Sequence, residues 1–244
     1  MYNFNSTYFI IGSSGGLGSY LVNKLNEFGV TTFGFDITPS STTNFIVSSD
    51  DIQSYSDTVN SVLSKCHGSV VFIITVAATQ RLKGGLPLKD YICESNLIST
   101  ETQLLLVCAS LLKVYAEHHS SIHNIINIGS VLAHKTSLYE SPLYSASKAS
   151  TLSTVRYLAI DLLQSKVKVN TISPCLMARN SSTADLLNSN LSKTKKPFSL
   201  SSYEDVFKTV YFISEFGVNS LNGTEIVLDD GLESLESYWS LSQA

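Results

Sequence analysis

Charged residues and cysteines are scarce in this 244-residue sequence. Charged side chains make up 15% of the chain, and the formal net charge is −4. A weakly acidic chain lacks the concentrated basic surface that phosphate backbones require, so we expect no nucleic-acid partner. The four cysteines stand far apart, with neither a CxxC pair nor a His–Cys ligand spacing. This pattern argues against a disulfide framework and predicts no metal site.

Long hydrophobic runs are also absent. The longest apolar run, Val70 to Ala78, is too short to span a bilayer, and the first residues carry no basic region of a signal peptide. We therefore expect a cytoplasmic protein without a membrane partner. Hydrophobic residues nevertheless make up 43% of the chain and aromatic residues 10%, which is enough for a folded core.

Short apolar runs alternate with segments of helical periodicity. Strands separated by helices predict an α/β fold with a Rossmann-type, doubly wound parallel sheet in a single domain over residues 1–244. The polar segment at about 176–202 is interpreted as a substrate loop, and 232–244 as a C-terminal tail. The predicted strands are 8–11, 31–35, 44–47, 70–76, 124–128, 167–172 and 225–228; the predicted helices are about 17–28, 52–63, within 90–117, about 144–164 and 203–215.

A glycine-rich turn, Gly12-Ser13-Ser14-Gly15-Gly16-Leu17-Gly18, follows the first predicted strand. Glycines let a helix N-terminus approach a pyrophosphate, whose charge is bound by the unpaired N–H groups and the helix dipole. Asp36 ends the second predicted strand, where a carboxylate accepts hydrogen bonds from ribose hydroxyls. Together these features predict a dinucleotide site. The carboxylate would repel a 2′-phosphate, and no Lys or Arg stands at 13, 14, 37 or 38, so NAD(H) is favoured over NADP(H).

A serine, a tyrosine and a lysine form the candidate catalytic set. Ser130 follows the predicted strand 124–128, and Tyr144 and Lys148 are i,i+4 neighbours on one face of the next helix. A nearby ammonium stabilises a phenolate and lowers the pKa of a tyrosine. Tyr144 is therefore predicted to act as a general acid/base.

From about Tyr8 to Gly231 the sequence resembles the short-chain dehydrogenase/reductase family in its classical form. Besides the glycine-rich turn, the motifs that carry the resemblance are Asn127-Ile128-Gly129-Ser130, Tyr144-Ser145-Ala146-Ser147-Lys148, Val169-Asn170-Thr171-Ile172-Ser173-Pro174 and Asn222-Gly223-Thr224-Glu225-Ile226-Val227-Leu228-Asp229.

The resemblance implies roles for individual residues. Tyr144 exchanges the substrate proton, Ser130 holds the substrate oxygen, and Lys148 also binds the nicotinamide ribose. Asn96 matches a helix asparagine that anchors a proton-relay water, and Asp51 matches the acid that contacts adenine, although Asp50 is equally available. The cofactor-binding residues are then Gly12, Ser14, Gly16, Leu17, Gly18, Asp36, Asp51, Ile52, Ala77, Ala78, Tyr144, Lys148 and Pro174.

The glycines fit two patterns of the family. Gly12, Gly16 and Gly18 give the classical GxxxGxG, whereas Gly12, Gly15 and Gly18 give the GxxGxxG of extended, sugar-nucleotide-modifying relatives. A chain of 244 residues is too short for the additional domain of the extended form, which favours the classical one.

Three motifs depart from the family. Its glycine pair after the last strand reads Asp230-Gly231 here. Its Asn-Asn-Ala-Gly reads Thr75-Val76-Ala77-Ala78 here, so bracing by asparagine is lost. Its Pro-Gly-x-x-x-Thr reads Pro174-Cys175-Leu176-Met177-Ala178-Arg179, with arginine where a threonine contacts the nicotinamide carboxamide.

The resemblance implies an NAD(H)-dependent oxidoreductase that interconverts a secondary alcohol and a ketone, small-molecule substrates whose identity the motifs do not define. The alternatives are a sugar-nucleotide epimerase or dehydratase that recycles bound NAD, and an NAD-sensing protein without catalysis. The resemblance also implies a homotetramer or homodimer built on the helices near 96–117 and 144–164, which correspond to those of the family's four-helix subunit interface. The second helix supports this expectation, because its apolar residues cover more than the face that one sheet would bury: Leu152, Val155, Leu158, Ala159 and Leu162. The tail, with Leu235, Tyr238 and Trp239, is expected at a subunit interface.

Overall fold

The computed structural model describes residues 4–48, 51–77, 97–135, 141–175, 201–216 and 218–231, together with Tyr2 and Met177. Within these residues, seven parallel strands form one sheet in the order β3-β2-β1-β4-β5-β6-β7. The predicted α/β class and doubly wound sheet are confirmed. The strands are β1 (Ser6–Ile11), β2 (Thr32–Asp36), β3 (Phe45–Ile46), β4 (Ser69–Ile74), β5 (His123–Ile128), β6 (Val167–Pro174) and β7 (Glu225–Leu228).

Five α-helices lie within the same described ranges. They are α1 (Gly16–Glu27), α2 (Ile52–Leu63), α3 (Leu97–Glu117), α4 (Pro142–Asp161) and α5 (Tyr203–Glu215). Helix α4 begins two residues before the predicted start, because Ser141 caps it and Pro142 occupies its first turn. The Ser141 Oγ accepts a hydrogen bond from the backbone N–H of Leu143. None of the helices in the described part of the chain is long and apolar enough to cross a membrane.

The helices cover both faces of the sheet. Side chains of β1 alternate between the faces: Tyr8 and Ile10 pack towards α1 and α5, whereas Phe9 and Ile11 pack towards α2, α3 and α4. All four side chains are buried. Burial on both faces explains why the strands read as continuous apolar runs rather than as alternating patterns.

From β1 to β3 each new strand is added on one side of the sheet, and from β4 to β7 on the other side. Strands β1 and β4 are therefore neighbours, although β2 and β3 separate them in sequence. In doubly wound sheets, ligands bind beyond the carboxyl ends of the strands at this switch point. Gly12 follows β1 at this position and Thr75 follows β4. The fold therefore brings the glycine-rich turn and the segment after β4 to one edge.

The expectation that named residues of α4 form a subunit interface is wrong in its details. Leu152, Val155, Leu158, Ala159 and Leu162 are all buried within the single chain, where α4 packs against α3 and β6. These residues are covered because α3 packs on a face of α4 that the sheet leaves open. The exposed apolar side chains of this helix region are Tyr157, Ile160 and Leu163.

Candidate active site

The glycine-rich turn is held tightly between β1, β2 and the segment after β4. Gly12 has a φ of +91°, in the left-handed region that favours glycine. A Cβ at Gly18 would collide with the carbonyl oxygen of Gly12. Both glycines are therefore needed for the sharp entry into α1.

The other two glycines differ in their surroundings. A Cβ at Gly16 would lie 2.6 Å from the Tyr203 hydroxyl, whereas a Cβ at Gly15 would make an ordinary contact, 3.5 Å from the carbonyl oxygen of Gly12. The close approaches thus fall on Gly12, Gly16 and Gly18. This matches GxxxGxG and not GxxGxxG.

Thr75 braces the turn from β4. Its Oγ1 lies 2.9 Å from the carbonyl oxygen of Ile11 and 3.0 Å from that of Gly12, and donates to them. The bracing that an asparagine would supply in the family is therefore made here by a threonine hydroxyl.

The N-terminus of α1 suits an anionic group. Gly15 caps the helix without a side-chain hydrogen bond, and no acidic residue lies in the first turn, which contains Leu17. The helix dipole is thus not compensated at this end by a carboxylate of its own first turn. A pyrophosphate is the anion that this arrangement fits.

Asp36 lies at the end of β2, beside the turn. Its Oδ2 accepts the backbone N–H of Ser14 at 2.9 Å, and its Oδ1 accepts that of Thr38 at 3.0 Å. Each carboxylate oxygen retains a second lone pair, so the group can accept further hydrogen bonds from hydroxyls.

Several predicted cofactor residues lie elsewhere along this edge. Asp51 caps α2, where its Oδ1 accepts the backbone N–H of Ser54 at 2.9 Å, and Ile52 is the first residue of that helix. Pro174 ends β6, and Ala77 follows β4. Asn96, Ala78, Asp50 and Arg179, together with most of the substrate loop and the tail, lie outside the described residues.

Ser130 stands two residues beyond β5 and caps a short 3-10 turn, Val131–Ala133. Its Oγ accepts the backbone N–H of Leu132 at 3.2 Å. The turn packs against α4, the helix that carries the candidate tyrosine. Ser130 is 7% exposed, so its hydroxyl sits in a largely enclosed position.

A polar chain that sequence reasoning missed fixes this turn to β6 and β7. Glu225 Oε2 lies 2.7 Å from His134 Nε2, and Glu225 Oε1 accepts the Ser173 hydroxyl at 2.5 Å. His134 follows the turn that Ser130 caps. The hydrogen bond between His134 and Glu225 therefore holds the segment of Ser130 at the carboxyl ends of the strands.

Tyr144 and Lys148 lie on one face of α4 as predicted. The Lys148 ammonium stands over the Tyr144 ring, 5.7 Å from its centroid, and both residues are buried. Lys148 Nζ donates to the carbonyl oxygens of Val76 at 2.9 Å and Ile128 at 3.1 Å. These carbonyls follow β4 and end β5, so the pair lies at the same sheet edge as the glycine-rich turn.

Glu101 is a second residue that sequence reasoning missed. It is 1% exposed, and its Oε2 lies 3.0 Å from Lys148 Nζ. One signal was present in the sequence: on the apolar face of α3, Glu101 stands one turn before Leu104 and Leu105 and two turns before Cys108. An acid on an otherwise buried face calls for a buried partner.

Residues 47–233 match a family model described as enoyl-(acyl carrier protein) reductase. Comparison with curated protein sequences finds no significant match. Solved structures share the fold at low identity, across nearly the whole chain. A short-chain dehydrogenase from Leptospira borgpetersenii serovar Hardjo-bovis with bound NAD+ is 17% identical, with a TM-score of 0.73, covering 94% of this chain and 93% of its own.

Two further structures give the same result. An oxidoreductase of the short-chain dehydrogenase/reductase family from Burkholderia thailandensis is 17% identical, with a TM-score of 0.68 and coverage of 98% of both chains. Sorbitol-6-phosphate 2-dehydrogenase from Erwinia amylovora is 17% identical, with a TM-score of 0.72, covering 92% of this chain and 98% of its own.

The fold and the site define a nucleotide-binding oxidoreductase of Rossmann type. The match over residues 47–233 establishes the finer class: the chain belongs to the short-chain dehydrogenase/reductase family. The resemblance read from the sequence motifs is thereby confirmed.

Proposed function

We propose that the protein is an NAD(H)-dependent oxidoreductase that interconverts a secondary alcohol and a ketone, with Tyr144 as the general acid/base. The observation that carries the proposal is the position of Lys148. Its ammonium is held at the ends of β4 and β5 by two backbone carbonyls and stands over the Tyr144 ring. A positive charge fixed there stabilises negative charge that develops on the tyrosine oxygen while a proton passes between Tyr144 and the substrate.

Ser130 supplies the second polar group of the scheme. Its hydroxyl is positioned by the 3-10 turn and by the His134–Glu225 hydrogen bond behind that turn. A hydroxyl at this place donates a hydrogen bond to the substrate oxygen, while Tyr144 holds or releases the proton. Asn96, which lies outside the described residues, is proposed to connect this proton to solvent.

The turn and the acid at the end of β2 fit a dinucleotide. The N-terminus of α1 would hold the pyrophosphate, and Asp36 would hold the adenosine ribose. Asp51 and Ile52 at the start of α2 would flank the adenine, with Ala77, Ala78, Lys148 and Pro174 on the nicotinamide side. The cofactor, when bound, supplies or accepts the hydride.

We further propose a preference for NAD(H), because the Asp36 carboxylate would face the 2′-phosphate of NADP(H). Ser14 and Thr38 approach Asp36 through backbone N–H groups, and neither carries a cationic side chain to offset the repulsion. The substrate is proposed to be a small molecule, and the reaction to take place in a single domain over residues 1–244.

The experiment that tests this proposal combines binding and turnover. Calorimetric titration with NADH should give saturable binding of one cofactor per chain. A screen of polyols, sugars, hydroxyacyl esters and sterols with NAD+ should then give NADH absorbance with at least one alcohol. Saturable NADH binding without net NADH formation from any alcohol class would contradict the dehydrogenase assignment.

A further inference from the structure

Among the described residues, Glu101 of α3 and Lys148 of α4 form an ion pair that the acid–base scheme does not use. The carboxylate oxygen Oε2 and the ammonium nitrogen lie 3.0 Å apart, and the two side chains are 1% and 3% exposed. A buried pair of this kind carries a large desolvation cost. It is therefore unlike the exposed ion pairs elsewhere in the structure.

Two hydrogen bonds and one ion pair hold the Lys148 ammonium. A lysine ammonium carries three protons. Lys148 Nζ lies within hydrogen-bond distance of the carbonyl oxygens of Val76 and Ile128 and of the Glu101 carboxylate. Three acceptors from three different elements hold the nitrogen in one place.

The charges around Lys148 come from two helices. Glu101 of α3 and Tyr144 of α4 are the titratable groups of the described chain that act on it, while the segments after β4 and at the end of β5 present backbone carbonyls. Neither carboxylate oxygen of Glu101 has a hydrogen-bond partner among the described residues, and Oε2 faces Lys148 Nζ as an ion pair at 3.0 Å. The carboxylate is thus directed at the lysine and not stabilised by a network of its own.

We propose that Glu101 is a positioning residue for the reaction proposed above: its carboxylate fixes the Lys148 ammonium beside Tyr144 and keeps it charged inside the protein. The inference depends on the proposed function, because it assigns Glu101 a role through the lysine. Without the carboxylate, complete burial would favour the neutral amine, and Tyr144 would lose the positive charge beside it.

The electrostatics of the pair support this role. Burial lowers the pKa of Lys148, but the negative charge of Glu101 and the neighbouring Tyr144 outweigh burial, so the pKa is raised above its ordinary value. The lysine then stays protonated across the physiological range. In Glu101→Gln the opposing burial remains and the main compensating charge is removed.

The test is a pH titration of Lys148 by NMR, followed through its 13Cε resonance and assigned by its loss in Lys148→Arg. In the wild-type chain the midpoint should lie at or above about 10.4, the value of an ordinary lysine. In Glu101→Gln it should fall by about one to three pH units. Glu101→Asp, which keeps the charge, should resemble the wild type more closely than Glu101→Gln does.

A matched control is available in the exposed pair Lys113–Asp161. It has the same 3.0 Å separation, but both side chains are 42% exposed. Because solvent screens this pair, Asp161→Asn should move the Lys113 midpoint far less than Glu101→Gln moves that of Lys148.

Equal Lys148 midpoints in the wild type and in Glu101→Gln would overturn the proposal. If Glu101→Gln does not fold, the wild-type titration decides: a Lys148 midpoint below that of Lys113 contradicts the role, and one above it supports the role. The titration needs neither cofactor nor substrate. Its failure is therefore distinct from a failure of NADH binding or turnover, which would contradict the proposed function itself.

Discussion

Both carboxylate oxygens of Asp36 accept a backbone N–H, one from Ser14 in the glycine-rich turn and one from Thr38. The side chain thereby has a structural task, holding the turn against β2, as well as the ligand-binding task we propose. A substitution at this position tests both. The structural effect is separated from the effect on ligand binding if the affinities for NADH and NADPH are both measured and expressed as a ratio.

We expect the wild-type protein to bind NADH at least about tenfold more tightly than NADPH, a difference of about 1.4 kcal/mol. Asp36→Ala should narrow that ratio, because the repulsion of the 2′-phosphate is removed, and should lower stability modestly because two hydrogen bonds are lost. Fluorescence titration with both cofactors measures the ratio. Asp57→Ala, which removes an exposed carboxylate of α2, is the control and should leave it unchanged. Equal affinities of the unmodified protein for the two cofactors would contradict the assignment.

Some residues of the site could be identified from the sequence, and others only from the packing of the helices. Gly12, Asp36, Tyr144 and Lys148 belong to local patterns, in which spacing along the chain implies proximity. Glu101 contacts Lys148 from another helix, and no spacing rule connects the two. A lone acid on the apolar face of α3 was visible, but its partner could be named only after the helices were packed.

At the scale of single elements, β5 begins with a buried and incompletely satisfied histidine. His123 Nδ1 accepts the backbone N–H of Val70 at 3.2 Å, and its Nε2 has no partner among the described residues. Burial, with smaller effects from His119 and Lys166, lowers the pKa of His123 to about 4. Tyr115 packs edge-on against the ring. The strand therefore tolerates only the neutral imidazole.

This histidine should make the fold sensitive to acid. Between about pH 6.5, the ordinary value for histidine, and about pH 4, the unfolded chain binds a proton that the folded chain excludes. The free energy of unfolding should therefore fall as the pH drops through this window. His123→Asn, whose side-chain oxygen can still accept the Val70 N–H, should show a shallower fall. Urea denaturation at several pH values measures this.

His67 is exposed and provides the control, since His67→Asn should leave the slope unchanged. The same pH dependence in His123→Asn as in the wild type would show that His123 does not contribute to acid sensitivity.

The extents of the elements show what local sequence can and cannot predict. Helix α2 has the predicted ends, Ile52 and Leu63, because its apolar spacing stops at both; that Asp51 caps the helix is seen in the structure alone. The start of α4 was missed because its signal is a Ser–Pro cap and not a periodicity. The burial of Leu152 and Val155 was misjudged, because it depends on α3 covering a second face of α4.

For the molecule as a whole, α4 and the residues after it leave apolar surface unpaired. Tyr157, Ile160 and Leu163 are 66%, 76% and 60% exposed, and Val114 of α3 is 58% exposed. Exposed apolar side chains concentrated in this way are typical of protein–protein contacts. Closed symmetric assembly would bury them. We therefore predict a homotetramer or homodimer that uses this surface.

Light scattering at micromolar concentration should give the mass of an assembly for the wild type and a lower mass for Ile160→Asp. The control is Ile46→Asp, which should leave the mass unchanged. Ile46 is 65% exposed and lies on β3, the edge strand of the sheet beyond β2. A monomeric wild type would contradict the assembly.

Truncation after Gly231 tests the role of the C-terminal tail. If the truncated protein keeps the assembly, stability and substrate affinity of the wild type, the proposed role of the tail at a subunit interface is contradicted.

We propose that Tyr144 transfers the substrate proton in an NAD(H)-dependent oxidation, and the decisive measurement is the rate of NADH formation in Tyr144→Phe. The phenyl ring keeps the packing of the buried side chain and removes only the hydroxyl. We predict that turnover falls by roughly 10²–10⁴, while NADH binding measured by calorimetry stays close to that of the wild type. Wild-type turnover in Tyr144→Phe, with NADH binding intact, would contradict the role of Tyr144 as general acid/base.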